Sequence, residues 1–168
     1  MVVYRARQAT PDDADAIARI YNDGIIDRLG TFETRLRTPD DVRQWFDGRH
    51  PIVVVEQEDG IIAAFASTSG YRPREAYAGI ADYSVYVARH LRGQGAGRIA
   101  MVALIDAARD AGIWKLVSRI FVENTASRKL MASVGFREVG VYEKHARLDG
   151  RWRDVVIVER LVPENQPE

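Results

Sequence analysis

Hydrophobic residues recur along the chain in two periods, one typical of β-strands and one typical of α-helices. Alternation or short runs of β-branched residues predict strands at residues 2–7, 52–56, 61–66, 78–87, 116–122, 136–142 and 152–161. Apolar residues three and four positions apart predict helices that begin near residues 11, 39, 95 and 127. These helices are expected to end at Gly24 or Leu29-Gly30, before Pro51, near Ala111 and near Val134, respectively.

Two of these helices carry the same start signal. Thr10-Pro11-Asp12-Asp13 and Thr38-Pro39-Asp40-Asp41 each place an N-cap threonine before a proline and two acidic residues. Proline suits the first helical position because its missing N–H would have no partner there, and acidic residues interact favourably with the helix dipole. Asp59-Gly60, between two predicted strands, indicates a tight hairpin turn.

The predicted order of elements is β-α-α-β-β-β-α-β-α-β-β, which indicates a mixed α/β fold. Three consecutive strands precede the long helix, so the chain lacks the repeating βαβ units of a doubly wound fold. Neither an internal repeat nor a linker-like segment interrupts the pattern. We therefore expect one domain over residues 1–162, followed by a polar tail over residues 163–168.

Composition removes several classes of protein. The chain has 168 residues, and its 24 basic and 24 acidic side chains balance, whereas nucleic-acid-binding proteins normally carry a basic face. Without cysteine there are no disulfides, thiolate zinc sites or cysteine nucleophiles, and the three histidines share no ligand spacing, so no metal is expected. No apolar run approaches the roughly 20 residues that span a bilayer, and no signal-peptide core is present, which favours the cytoplasm.

A glycine-rich segment joins the predicted strand at 78–87 to the long helix. Its sequence is Arg92-Gly93-Gln94-Gly95-Ala96-Gly97, and Arg98 follows. Glycine lets the backbone approach a ligand closely, and the free N–H groups of a helix start attract a pyrophosphate. The spacing matches neither a P-loop nor the dinucleotide-binding fingerprint. The residues alone leave two interpretations open, a pyrophosphate site and a flexible strand-to-helix turn.

Two motifs resemble those of the GNAT N-acetyltransferase superfamily. Arg92-x-x-Gly95-x-Gly97 is similar to the superfamily's acetyl-coenzyme A motif, because it follows a strand and opens a long helix. Glu123-Asn124-Thr125-Ala126-Ser127, followed by Gly135-Phe136, is similar to its next motif. The resemblance extends over nearly the whole chain. It implies a GNAT fold with a central mixed, twisted sheet and helices on both faces, acetyl-CoA as co-substrate, and a homodimer.

Within the superfamily, the chain resembles the branch that acetylates phosphinothricin, methionine sulfoximine, methionine sulfone and arsinothricin. Segments 71–77, 84–87 and 150–155 carry this resemblance, and segment 114–121 is most similar to the arsinothricin enzymes. The resemblance implies detoxification of a small anionic glutamate analogue by N-acetylation of its α-amino group. Two alternatives stay open: acetylation of another amine, such as a protein N-terminus or a polyamine, and a non-catalytic acyl-CoA-binding module.

The resemblance also assigns residues to the coenzyme. The pantetheine would run along the strand, the pyrophosphate would lie on the glycine loop, and the segment after the next strand would contact the coenzyme from the other side. These three groups are Val85, Tyr86 and Val87; Arg92, Gly93, Gln94, Gly95, Ala96, Gly97 and Arg98; and Asn124, Ser127 and Arg128. Asn124 and Ser127 are also typical helix-capping residues, and the two roles are compatible.

Asp82 is the predicted general base. Strand alternation places it on the same face as Ser84 and Tyr86. The matching residue in the phosphinothricin enzymes is a glutamate, so the shorter side chain would reach the amine directly or through a water molecule. A salt-bridged structural aspartate is the alternative. His145 is a second candidate base, although a lone histidine beside Lys144 and Arg147 is also typical of a surface.

The acceptor-binding residues follow from the same resemblance. Arg72 and Arg74 flank Pro73, and two guanidinium groups held in this way suit the oxygen pairs of a carboxylate or phosphinate. Phe32 and Glu33 belong to the segment that covers the acceptor, where a phenylalanine packed into the core is the alternative. Tyr83 is the last residue that we predict to bind the acceptor.

Overall fold

The computed structural model describes residues 2–168, and the elements follow one another in the order that the sequence pattern predicts. The strands are β1 (Tyr4–Gln8), β2 (Ile52–Gln57), β3 (Ile62–Gly70), β4 (Ile80–Val87), β5 (Lys115–Phe121), β6 (Arg137–Leu148) and β7 (Arg151–Leu161). The helices are α1 (Ala14–Ile26), α2 (Pro39–Arg43), α3 (Ala96–Asp110) and α4 (Thr125–Ser133).

All the strands form one sheet in the order β1-β2-β3-β4-β5-β7-β6. Every neighbouring pair is antiparallel except β4 and β5, which are parallel and are connected through α3. A parallel pair needs such a crossover because the chain must return to the same end of the sheet. The sheet is therefore mixed, as predicted.

Helices cover both faces of the sheet. Tyr86 and Val87 are consecutive in β4 and therefore point to opposite faces. The Tyr86 ring packs against Tyr21 of α1 with ring centroids 5.0 Å apart, whereas Val87 lies against Gly97 of α3. We call these the α1 face and the α3 face. The largest fully buried side chains include Ile17 and Phe65, together with Met101 and Leu104 of α3.

The second predicted helix is shorter than its sequence pattern indicates. Its start is as predicted, because the Thr38 N–H donates to the Asp41 carboxylate at 2.8 Å and the Asp41 N–H donates to the Thr38 hydroxyl at 3.1 Å. The helix stops at Arg43 instead of continuing towards Pro51. The N–H groups of Trp45 and Phe46 bond back only three residues, to the Val42 and Arg43 carbonyls, and the Asp47 carboxylate then accepts hydrogen bonds from the N–H groups of Arg49 and His50.

Two other boundaries differ from the sequence prediction. β6 continues to Leu148 rather than ending near Tyr142, and its register shifts between Tyr142 and Ala146. Part of the predicted polar tail is attached to the domain, since the Asn165 side chain donates hydrogen bonds of 2.8 Å to the carbonyls of Arg109 and Ile113. Among residues 2–168, no helix has the length and apolar character needed to cross a membrane.

Candidate active site

The parallel strands β4 and β5 separate part-way along their length. Their pairing covers only Ile80–Asp82 with Lys115–Val117, although β4 continues to Val87 and β5 to Phe121. A cavity of about 510 Å³ lies where they separate, and we call it the gap cavity. Its walls come from β4, β5 and the starts of α3 and α4.

The edge of β4 that borders this cavity offers backbone hydrogen-bonding groups. The Tyr83 carbonyl points towards β5, where it accepts a hydrogen bond from the Ser118 hydroxyl at 3.1 Å. The Ala88 N–H points the other way and donates to the Ala63 carbonyl at 2.7 Å. Because backbone direction alternates along a strand, the N–H and C=O groups of Val85 and Val87 face the cavity. An extended ligand with amide groups can pair with this edge as an added strand.

The glycine loop closes one end of the gap cavity. Gly93 and Gly95 have φ angles of 78° and 91°, a left-handed conformation that favours glycine. Gly95 is the N-cap of α3, and its carbonyl accepts the first helical hydrogen bond, from the Ile99 N–H at 3.3 Å. The preceding N–H groups of the first turn have no helical partner, which makes this helix start suitable for a pyrophosphate.

Most of the predicted coenzyme residues line the gap cavity. They are Val85, Tyr86, Val87, Arg92, Gly93, Gly95, Gly97, Arg98, Asn124 and Ser127.

Three predicted coenzyme residues do not line this cavity. Gln94 is exposed and lies 3.4 Å from the Tyr4 hydroxyl, because the loop turns its side chain outward. Ala96 is buried in the core. The Arg128 guanidinium is bound to the Glu138 carboxylate and the Val122 carbonyl. The side chains of these three residues therefore lie outside the gap cavity, and their assignment to the coenzyme stays a prediction.

Residues 27–30, which we call the strap, cross the mouth of the gap. On the β4 side, the Asp27 carboxylate binds Arg89 and Arg92 at 2.8–2.9 Å, and these arginines, Arg89 first, lower its pKa to about 2. On the β5 side, the Asn124 side chain donates to the Leu29 carbonyl at 3.2 Å. The Asn124 oxygen also accepts from the Ser127 N–H, so its role as a helix cap is confirmed. The sequence gives no signal for Asp27, because its partners lie more than sixty residues away.

Asp82 lies at the point where β4 and β5 separate. Its carboxylate is half-buried on the α1 face, and this burial raises its pKa, while the charges of Arg119 and Arg72 act in the opposite direction. Its Oδ1 atom is buried without a hydrogen-bond donor from residues 2–168, and Arg119 Nη1 is 3.7 Å away. A carboxylate kept partly dehydrated in this way is a better proton acceptor than an exposed one.

Arg119 is a second residue of this site, after Asp27, that the sequence does not reveal. Asp82 is paired with Val117, and Arg119, two positions along β5, therefore lies on the same face as Asp82. Alternation within β5 is visible in the sequence. The register between β4 and β5 is not visible, because α3 and its connections separate the two strands.

The predicted acceptor residues lie in two groups, Arg72 with Arg74 in the loop before β4, and Phe32 with Glu33 after the strap. The Arg72 guanidinium rests over the Tyr71 ring at 5.1 Å, and its charge reaches Asp82, as the effect on the Asp82 pKa shows. Arg74 is exposed at the next turn, and within the described chain neither arginine forms an ion pair. Phe32 packs edge-on against Phe121 with ring centroids 5.1 Å apart, as in the core-packing alternative. The Glu33 carboxylate forms an ion pair with the Arg37 guanidinium at 2.8 Å.

Two predicted residues do not join Asp82. His145 is exposed where the β6 register shifts, and its ring lies beside Tyr142 rather than the carboxylate. The Tyr83 ring packs against Phe136 on the α3 face, opposite to Asp82, because the two residues are consecutive in β4. The Tyr83 hydroxyl is buried without a partner among the described residues, and burial raises its pKa far above the usual range.

A second cavity, of about 330 Å³, lies on the α1 face. It is polar along one wall, where Ser67, Thr68 and Ser69 of β3 meet Ser84 of β4. Ser84 borders this cavity and the gap cavity, and Ser69 is paired with Asp82 across the strands. A donor bound along β4 and an acceptor approaching on the α1 face would therefore meet beside Asp82.

Comparison with known proteins identifies the class to which this fold and site belong. The acetyltransferase (GNAT) domain family matches residues 5–137. The phosphinothricin N-acetyltransferase of Streptomyces coelicolor is 32% identical, over 93% of this chain and 95% of the relative. The L-methionine sulfoximine/L-methionine sulfone acetyltransferase of Pseudomonas aeruginosa is 32% identical, over 91% of each chain. A solved structure from Salmonella typhimurium with its cofactor acetyl-CoA is 28% identical and superposes with a TM-score of 0.88 over 94% of this chain and 93% of that one.

The chain belongs to the acetyltransferase (GNAT) family. It is an N-acetyltransferase with acetyl-CoA as its acetyl donor, and the predicted GNAT fold is confirmed. The glycine loop, the free edge of β4 and the gap between the strands fit this co-substrate. Among residues 2–168, no group of three or more metal-ligating side chains is present.

Proposed function

We propose that this protein acetylates the α-amino group of a small anionic amino acid related to glutamate. Phosphinothricin, methionine sulfoximine, methionine sulfone and arsinothricin represent this class. The observation that carries the proposal is the positive charge around Asp82: Arg119 Nη1 lies 3.7 Å from its Oδ1 atom, and the charge of Arg72, in the loop before β4, also lowers its pKa. A polyamine would be repelled by these groups, whereas an anionic amino acid is attracted. The names of the two curated relatives support the same acceptor class.

Each part of the site has one task in this reaction. Acetyl-CoA supplies the acetyl group as a thioester. The Val85 N–H faces the gap and donates a hydrogen bond to the oxygen that becomes negative as the amine attacks. Asp82 accepts the proton that the α-ammonium group must lose, directly or through a water molecule, and the C–S bond of the thioester then breaks so that coenzyme A leaves as its thiolate. Arg72 and Arg74 hold anionic oxygens of the acceptor, so that the amine faces the thioester.

Acetylation of the amine would remove the charged group that makes such an analogue resemble glutamate. We therefore propose detoxification as the outcome, with arsinothricin as one acceptor in the class. The similarity of segment 114–121 to the arsinothricin enzymes supports this choice.

We also propose that the enzyme is a homodimer. β6 is one of the two edge strands of the sheet and is exposed along most of its length. Val139, Val141, Tyr142 and the neighbouring Trp152 are each about half exposed, at 47–56%. A second copy would cover this apolar surface. Light scattering should give twice the chain mass, and Val141→Lys should give a monomer; a monomeric parent would contradict the proposal.

The experiment that tests the acceptor class is a thiol-release assay with acetyl-CoA and a panel of amines. The panel contains phosphinothricin, arsinothricin, methionine sulfoximine, the twenty amino acids, a polyamine and a peptide with a free N-terminus. We expect kcat/KM to be highest for an anionic glutamate analogue. Higher efficiency on the polyamine or the peptide would contradict the acceptor class. Coenzyme binding without turnover of any amine would contradict the enzymatic role.

A further inference from the structure

Arg119 is an arginine of the sheet whose hydrogen-bonding capacity is unused. Within residues 2–168 its guanidinium forms no hydrogen bond, and its one charged neighbour is Asp82 at 3.7 Å, beyond hydrogen-bond distance. Other arginines of the adjoining strands are engaged: Arg137 binds Glu159, Arg153 binds Glu123, and Arg160 donates to the Val134 carbonyl. The Arg119 side chain is 43% exposed and lines the gap cavity. It shares the α1 face with Asp82, so its donors are available to an acceptor that approaches the carboxylate on that face.

We infer that Arg119 binds the α-carboxylate of the acceptor beside Asp82. This inference rests on the proposed function and assigns the acceptor's anionic groups to different arginines. A guanidinium fork matches the two oxygens of a carboxylate. In an α-amino acid the amine and the carboxylate are attached to the same carbon. A carboxylate on Arg119 therefore brings the amine next to Asp82, and Arg72 remains for the anion at the far end of the acceptor.

The neighbourhood of the two side chains gives this arrangement a chemical consequence. The charged groups that face Asp82 are Arg119 of β5 and Arg72 of the loop before β4, and both lower its pKa. A carboxylate bound to Arg119 would neutralise part of this effect. Asp82 would then become a stronger base when an acceptor with a free carboxylate is present, and a simple amine would not produce the same gain.

The test compares L-phosphinothricin with its α-carboxamide, which keeps the amine and the phosphinate but lacks the α-carboxylate. The ratio of their kcat/KM values is measured in the parent, in Arg119→Gln and in Arg119→Lys. We expect the parent to prefer the free acid by about 10- to 150-fold, the range for charge-assisted hydrogen bonds. Arg119→Gln should bring the ratio close to one, mainly by raising KM for the free acid. Arg119→Lys should restore part of the preference, because it keeps the charge but loses the fork.

Arg137→Gln is the matched control, because Arg137 is an exposed arginine of the same sheet outside the site. This variant should keep the parental ratio. The inference is overturned if the parent uses the carboxamide as well as the free acid, or if Arg119→Gln and Arg119→Lys both keep the parental ratio. If the parent acetylates neither compound nor any other amino acid, the proposed function itself is wrong and the inference fails with it. Turnover of phosphinothricin with an unchanged ratio in the variants refutes the inference alone.

Discussion

Gly24 provides a sharp test of the packing between α1 and the gap cavity. A Cβ atom at this position would lie 2.6 and 2.7 Å from two carbons of the Tyr86 ring. Carbon atoms in contact normally lie about 3.5–4.0 Å apart, so Gly24→Ala requires the ring to move by roughly 1 Å. Phe65 and Tyr21 hold the ring from two other directions, with centroids 5.7 and 5.0 Å away. Tyr86 is among the residues that line the gap cavity, so a displaced ring changes the shape of the coenzyme site.

Two opposing contributions determine the stability of this variant. Alanine stabilises a helix interior by about 1 kcal/mol relative to glycine, whereas overpacking costs about 1–3 kcal/mol. The net effect is a loss of about 0–2 kcal/mol, which corresponds to a fall in Tm of up to about 8 °C for a chain of this size. The displaced ring should also lower kcat/KM by about 10-fold or more, because a shift of roughly 1 Å at a reacting site costs up to about 100-fold.

Calorimetry and the thiol-release assay measure the two effects. Gly30→Ala is the control, because its added Cβ would lie 3.9 Å from the Tyr86 hydroxyl, an ordinary contact. We expect this control to stay within about 0.5 kcal/mol of the parent in stability. A Gly24→Ala enzyme with a higher Tm and parental kinetics would show that helix propensity dominates and that the ring position does not matter.

Three further predictions concern the two ends of the site. Gly95→Asp places a side chain at a φ of 91° and a negative charge at the start of α3, so coenzyme affinity should fall at least 10-fold; unchanged calorimetric binding by the folded variant would contradict the pyrophosphate assignment. Asp82→Asn should lower kcat by about 100- to 10,000-fold with coenzyme binding intact. Because burial raises the Asp82 pKa, the activity of the parent should fall on acidification at a higher pH than it would with an exposed aspartate as the base. The raised pKa also means that the charged carboxylate destabilises the folded state at neutral pH, so Asp82→Asn should not lower the Tm. Parental activity and pH profile in Asp82→Asn would make this residue structural. Removing Arg72 and Arg74 together should raise the acceptor KM by at least about 10-fold and leave the coenzyme KM unchanged; equal acceptor kinetics in variant and parent would refute their role.

Local sequence signals predict the features that are built from neighbouring residues. The Thr-Pro-Asp-Asp start of α2, the Asp59-Gly60 hairpin and the glycine loop before α3 depend on contacts within a few positions, and the structure has all three elements. At the first Thr-Pro-Asp-Asp segment, Pro11–Asp13 form a 3-10 turn instead, and α1 begins at Ala14. The apolar pattern does not reveal the early end of α2, after which Trp45 and Phe46 bond back only three residues and the Asp47 side chain binds the N–H groups of Arg49 and His50.

Features that need distant parts of the chain are the ones that the sequence does not reveal. The position of Arg119 depends on the register between strands on either side of α3. The strap depends on Asp27 meeting arginines after β4 and on Asn124 reaching Leu29. The opposite placement of Asp82 and Tyr83 is visible as alternation. Which of the two residues faces the acceptor depends on which face of the sheet α1 and α3 each cover, and alternation within β4 does not show this.

The separation of β4 and β5 also affects how the protein behaves before it binds acetyl-CoA. The cavity-facing backbone of Val85 and Val87 forms a sheet edge inside the domain, and an open edge can pair with a strand of another chain. A ligand that pairs with this edge protects it and stabilises the native state, by about 2.7 kcal/mol at 100 times its dissociation constant. The thermal stability of this enzyme should therefore follow the supply of its own co-substrate. When acetyl-CoA is scarce, the exposed edge of β4, which also binds the co-substrate, would be the segment most prone to aggregation.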